Sequence, residues 1–217
     1  MHWSRTGLCD HLREPQRGMI QSFKGMIPVV HPTAFVHPQA VVMGHVTIGA
    51  HCFIGAGAVL RGDWGRIELA DGCNVQENCV VHMFPGTTVR LEKGAHVGHG
   101  AVIHGGHLGA QCLIGMNAVV MDDVRIGEGC IVGALSFVKA GSTWPERRII
   151  AGNPAQDIGP VSDAMHAHKV EGTSIYQGLP KDCHSALKET EPLTEVPENR
   201  PEEFPTFETW QQRRKRG

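Results

Sequence analysis

No run of apolar residues in this chain comes near the ~20 that a membrane-spanning helix requires. Residues 1–19 are too polar to supply the hydrophobic stretch of a secretion signal. Charge excess is missing as well: 20 Lys and Arg face 22 Asp and Glu, a formal net charge of −2, which argues against a chain built to hold nucleic acid by charge. The seven cysteines contain no CxxC pair, so neither a disulfide framework nor a thiolate zinc knot is expected. Aromatic residues are few, with a single Tyr. The chain reads as cytoplasmic, and 217 residues suffice for one domain with appendages.

What is abundant is Gly, Val and His. Twenty of the 27 glycines and 18 of the 21 valines lie between Gly25 and Gly141. That composition disfavours helices and suits short strands joined by tight turns. Aliphatic residues recur there at six-residue steps: Val30, Val36, Val42, Ile48, Ile54 and Leu60; Leu69, Val75 and Val81; Leu91, Val97 and Ile103; Leu108, Ile114, Val120, Ile126, Val132 and Val138. Two residues before most of them stands a small residue. Cys52, Cys73, Cys79, Cys112 and Cys130 occupy such positions and read as small core fillers. A six-residue period held for eighteen units is the signature of an all-β solenoid, a parallel β-helix. Three units make a triangular coil, so about six coils are expected, stacked ~4.8 Å apart.

The solenoid is expected over residues 27–143. Residues 1–26 carry no repeat and read as an N-terminal extension, either disordered or lying ahead of an alternative start at Met19 or Met26. Past Gly141 the pattern stops. Residues 144–190 read as a linker and helices, one from Ser162-Asp163 to about Val170 and another from Thr173 or Ser174 to about Lys188, weakened by Gly178 and Pro180. Residues 191–217, with four prolines among glutamates, read as an extended tail ending in Arg213-Arg214-Lys215-Arg216.

Three irregularities interrupt the phase. Leu60 to Leu69 spans nine residues, Val81 to Leu91 ten, and Ile103 to Leu108 five. Beside them lie Arg61 and Asp63, His82, and His104. Departures from a repeat mark function, because the repeat alone would fold more simply. By unit count Arg61, His82 and His104 form one outward column on consecutive coils, which lets His82 and His104 share a metal ion. His99 belongs to the neighbouring face, one coil from Gln76. Around a single prism edge it need not reach that ion; in a three-fold ring it completes the site from across the interface. Three imidazoles and an open position form a catalytic Zn2+ shell, and Fe2+ or Co2+ suit the same ligands. His31, His37, His45, His51 and His96 read as turn or exposed residues without coherent partners.

The stretches Leu60–Ile67, Asn74–His82, Val97–Gly105 and Ile114–Asp122 resemble those of the γ-class carbonic anhydrase-like hexapeptide proteins. The resemblance covers roughly residues 26–203. Through Ile27–Pro38, Ser136–Gly141, Glu189–Leu193 and Glu198–Pro201 the chain is most similar to the PaaY-like subgroup, associated with phenylacetic acid degradation, and the CaiE-like subgroup, associated with carnitine metabolism. What the resemblance implies is a left-handed β-helix and a homotrimer with metal sites at its interfaces. His82 and His104 would bind from one subunit and His99 from the next. Arg61 and Asp63 would form an intersubunit ion pair, and Gln76, with Asn74 nearby, would orient the metal-bound water.

An ion held this way ionises its water near neutral pH, and the hydroxide can attack carbon dioxide or an acyl thioester. Carbonic anhydrases of this class carry acids for proton export, whereas here position 62 is Gly and the loop from His82 to Arg90 has none. Trp64, Met83 and Phe84 offer apolar surface that either receives an acyl group or packs the loop and trimer seam. Tyr176 either reaches the site from the C-terminal helix or packs. The expectation is a metal-dependent acyl-CoA thioesterase of the PaaY-like type. The alternatives are a γ-carbonic anhydrase, a hexapeptide acyltransferase working without metal, and a CaiE-like accessory protein of CoA-ester metabolism.

Overall fold

The computed structural model describes residues 19–202 and 204–216, so the first 18 residues of the N-terminal extension lie outside it. The six-residue step folds as strands of mostly two or three residues with the aliphatic side chain turned inward. Parallel register stacks each such side chain on its equivalent one coil away. On one face Val36, Ile54, Val75, Val97, Ile114, Val132 and Ile150 form an unbroken column. Equivalent columns on the two other faces complete a buried triangular core. The product is a left-handed parallel β-helix of about seven turns.

Seven turns exceed the six expected, because the phase outruns its aliphatic residues. Trp144 and Ile150 continue the six-residue step beyond Val138 and pair with Ile126 and Val132. At the other end the strand Met19–Gln21 pairs with Val41–Met43, so the chain joins the solenoid from Met19 and not only from residue 27. The six cysteines of the described residues are free. The thiols of Cys52, Cys73, Cys79 and Cys130 donate to carbonyls of the next coil at 3.0–3.2 Å, which satisfies a weak donor inside an apolar core.

Two of the three breaks in the period have a clear structural counterpart. The nine-residue step lies within the continuous strand Val59–Leu69, which bends around a prism edge together with Val41–Ile48 and fuses two faces into one sheet. The five-residue step is closed by Gly105 and Gly106, with φ of +119° and +94°. A Cβ on Gly106 would stand 2.6 Å from the Val124 carbonyl oxygen, so this short corner requires glycine.

The outward columns differ in chemistry. The face bearing His82 presents Val41, Val59, Val80, Val102, Val119 and Phe137 in register. The next presents Thr47, Glu68, Arg90, His107, Arg125 and Thr143. The third presents Phe35, Phe53, Asn74 and His96 in its first part, and Phe35 and Phe53 are buried there.

A single helix, α1 (Asp163–Ala186), replaces the two expected, and it runs through Gly178 and Pro180. Ser162 caps its start, accepting from the Met165 N–H. Anchors to distant coils offset the local penalties of about 1 kcal/mol for Gly and about 3 for Pro. Lys169 Nζ donates to the Gly94 carbonyl (2.8 Å) and Gln111 Oε1 (2.9 Å), Gln177 to the Gly72 carbonyl, and His184 to the Ala34 carbonyl. The tail also departs from a purely extended course. A second short helix, α2 (Trp210–Arg214), lies back on α1, where Phe207 and Trp210 pack at a tilt against His168 and Arg213 pairs with Glu171. No helix among the described residues is long and apolar enough to cross a membrane.

Burial pulls the Lys169 ammonium from 10.5 down to about 8. Between those values the folded chain has released a proton that the unfolded chain keeps, so stability rises with pH across that window. The Tm advantage of wild type over Lys169→Met should therefore widen as pH is raised through it. A pH-independent difference would mean that the buried amine stays charged.

Candidate functional site

The predicted residues separate into two groups on different faces of the prism. In the first, parallel register sets His104 directly beside His82, with Ile103 and Val81 anchored in the core behind them. Asp63 Oδ1 accepts from His82 Nε2 at 3.0 Å. Arg61 donates through Nη2 to His82 Nδ1 at 3.2 Å, so Nδ1 carries a lone pair. Asp122 Oδ1 accepts from His104 Nδ1 at 2.9 Å, which leaves the lone pair of His104 on Nε2. The two unprotonated nitrogens face each other at 3.4 Å.

Electrostatics favours these states. Burial pushes the Asp63 carboxyl up, but hydrogen bonds from His82 and its own backbone and the Arg61 charge together bring it below the ordinary range. Burial lowers His82, helped by Arg61 and His104 and opposed by Asp63. Two acceptors that meet at 3.4 Å repel unless a positive charge lies against them. Two imidazole nitrogens on one tetrahedral zinc, each ~2.05 Å from it, stand about 3.3–3.4 Å apart. The donor set thus fits two ligands of one metal ion. Arg61 holds the cationic position here, its guanidinium also 2.6 Å from Asp63 within the same chain, so the pair expected between two subunits forms inside one.

Aromatic rings flank the pair. The Trp64 ring lies 5.2 Å from that of His82, and Phe84 stands edge-on to His104 at 5.3 Å. Both are half exposed, at 52% and 54%. Met83 is instead fully buried in the core, which removes it from the substrate-facing residues. It follows the strand that ends at His82 and turns inward against Gly65. A cleft of about 320 Å3 leads away from Phe84 and Asp122 past Gly105 and Gly106 toward Arg90 and Arg125.

The second group comprises Asn74, Gln76 and His99. Glu77 Oε2 accepts from His99 Nδ1 at 2.6 Å, leaving Nε2 of that ring free. Asn74 and Gln76 are buried. The Gln76 side chain bonds Asn74, His96 and the His99 backbone, while Tyr176 packs edge-on against His96 at 4.9 Å. Tyr176 therefore belongs to this second group and not to the His82–His104 pair. Within one chain, no three His, Cys, Asp or Glu of the described residues converge as a metal cluster.

Asp122, Glu77 and His96 escaped the sequence reading. Each meets its partner one coil away, eighteen to twenty-two residues along the chain. That spacing offers Glu77 to His99 but both Asp122 and Asp123 to His104; Glu77 and Asp122 are the ones that hold the rings in one tautomer, as outer partners of metal-binding histidines do.

The pattern of the bacterial transferase hexapeptide (six repeats) matches residues 27–62 and 105–140, and that of the hexapeptide repeat of succinyl-transferase matches 45–83. The carnitine operon protein CaiE of Escherichia coli (strain K12) is 47% identical over 180 residues, 83% of this chain and 92% of that protein. The CaiE protein of Salmonella agona (strain SL483) is also 47% identical, over 83% of this chain and 91% of its own length. Among solved structures, a hexapeptide transferase family protein from Anaplasma phagocytophilum superimposes with a TM-score of 0.72 at 30% identity, covering 75% of this chain and 96% of its own. A putative acetyltransferase from Bacillus cereus gives 0.74 at 28% identity, covering 79% and 99%.

Proposed function

The chain belongs to the hexapeptide-repeat family, and from that premise we propose a metal-dependent hydrolase of acyl-CoA thioesters working at the interfaces of a homotrimer. The observation that carries the reading is the pair of facing lone pairs on His82 Nδ1 and His104 Nε2, 3.4 Å apart. These two residues of one subunit and His99 of the next would hold Zn2+, or Fe2+ or Co2+ in its place. Such an ion, when bound, acidifies a coordinated water and polarises a carbonyl oxygen.

The trimer draws support from the Val80, Val102, Val119 and Phe137 column beside His82, an apolar ridge with polar residues on the neighbouring face. Packing that ridge against a second copy removes it from water and brings two different edges of the prism together. In this arrangement Asp63, Asp122 and Glu77 hold the three imidazoles in their binding tautomers. Trp64 and Phe84 shield the reacting centre from water and give an acyl chain apolar contact. The cleft beyond Phe84 has room for a substrate much larger than carbon dioxide, which favours thioester hydrolysis over CO2 hydration.

A second reading is acyl transfer, favoured by the likeness to structures described as a hexapeptide transferase and an acetyltransferase. The carnitine operon relatives favour a setting in carnitine or CoA-ester metabolism, as enzyme or accessory protein, over phenylacetate degradation. One metal-replete preparation, assayed for acyl-CoA hydrolysis, CO2 hydration and acyl transfer before and after chelation, separates these. Hydrolysis should fall on the order of 100-fold on chelation and return with Zn2+ or Co2+. Transfer activity that survives chelation would sink the hydrolase reading.

A further inference from the structure

The orientation of the buried Gln76 amide follows from its neighbours. The His99 backbone N–H can only donate, so the atom 3.2 Å from it is the amide oxygen. The amide nitrogen then faces Asn74 Oδ1 at 3.4 Å and His96 Nε2 at 2.9 Å. An NH2 group only donates, so His96 Nε2 accepts and the imidazole proton resides on Nδ1. Burial, with the charges of Lys169 and His99, holds His96 at about 3, so the ring is neutral wherever the protein works. Tyr176 of α1 stands edge-on against it at 4.9 Å and limits its rotation.

Both N–H bonds of Gln76 are therefore committed below the surface, and its oxygen grips the backbone of His99. Toward a water Gln76 thus offers only the remaining lone pair of its oxygen. Removing the acceptor at position 96 would strand one N–H of the buried amide, a cost the side chain relieves only by swinging off its present bonds to reach another acceptor. The oxygen would then be drawn away from the His99 N–H, and the tether of the His99 turn would weaken.

We propose that His96 is a positioning residue: through Gln76 it sets the backbone of His99 and so aims that imidazole at the subunit interface. The inference rests on the reading of His99 as the third metal ligand. The experiment is Co2+ titration of the purified full chain, followed by the visible absorption of the bound ion, for wild type, His96→Phe and His96→Gln.

His96→Phe keeps the ring bulk and removes the acceptor. It should weaken Co2+ binding about 10–100-fold, with an altered visible spectrum and an unchanged oligomer mass. His96→Gln restores an acceptor oxygen and should recover most of the lost affinity. Should His96→Phe fail to fold, Gln76→Leu cuts the same tether from its other end and should show the same loss. Wild type that binds no Co2+ overturns the metal reading itself. Wild-type binding with full affinity and an unchanged spectrum in a folded His96→Phe or Gln76→Leu overturns the positioning role alone. Equal weakening in His96→Gln and His96→Phe also overturns it, since packing would then be the cause.

Discussion

Mixing inactive His99→Ala protomers with inactive His104→Ala protomers should restore metal binding and hydrolysis. Each variant alone lacks one of three ligands at every site, and its affinity should fall by more than the roughly 100-fold that losing an outer partner of a ligand costs. In a mixed trimer, one interface joins an intact His82–His104 pair to an intact His99, while the other two remain defective. Random reassembly from equal amounts of the two therefore regenerates about a quarter of the sites. The measurement is metal content and activity after unfolding and co-refolding, compared with each variant refolded alone. If all three ligands came from one subunit, mixing would restore nothing, and the interface assignment would be wrong.

Val102→Asp should dissociate the trimer and abolish metal binding while the solenoid stays folded. Val102 lies between Val80 and Val119 on the apolar outward column, so its carboxylate would enter the seam without a partner. An unpaired buried charge costs several kcal/mol, about 3–5 where a pair is broken, and a trimer carries the change three times. At about 1.4 kcal/mol per tenfold, even one copy moves the dissociation constant by two to three orders of magnitude. Light scattering gives the mass, and circular dichroism checks the fold. Arg125→Asp, on the charged face, is the control that should leave the oligomer intact. A trimer that survives Val102→Asp would move the interface to another face.

The inward columns are legible in the sequence because three equal strands per coil impose one period on every core position. The period is hidden at Trp144, where the stack ends on that face and no further strand constrains the side chain to a branched aliphatic. α1 is misread as two pieces because Gly178 and Pro180 act locally, whereas the groups that hold the helix lie at residues 34–111. The division of the histidines into a pair and a separate third is legible by counting units, since position in the count determines the face. Asp122 and Glu77 are not, because irregular corners make the distance to the next coil vary between eighteen and twenty-two residues. Met83 is misassigned for a related reason: the loop after His82 begins on the inward side, so apolar character there serves the core.

The course of α1 also governs how this stack comes apart. A solenoid whose turns touch only their neighbours frays from its ends, one turn at a time. Here one rigid rod is bonded to corners at residues 34, 72, 94 and 111, so the opening of an end turn strains a connection to the middle. Losing the rod releases all four corners together. The coils between residues 34 and 111 are in this respect less a pile of independent layers than a bound volume with α1 as its spine, and they are expected to open together.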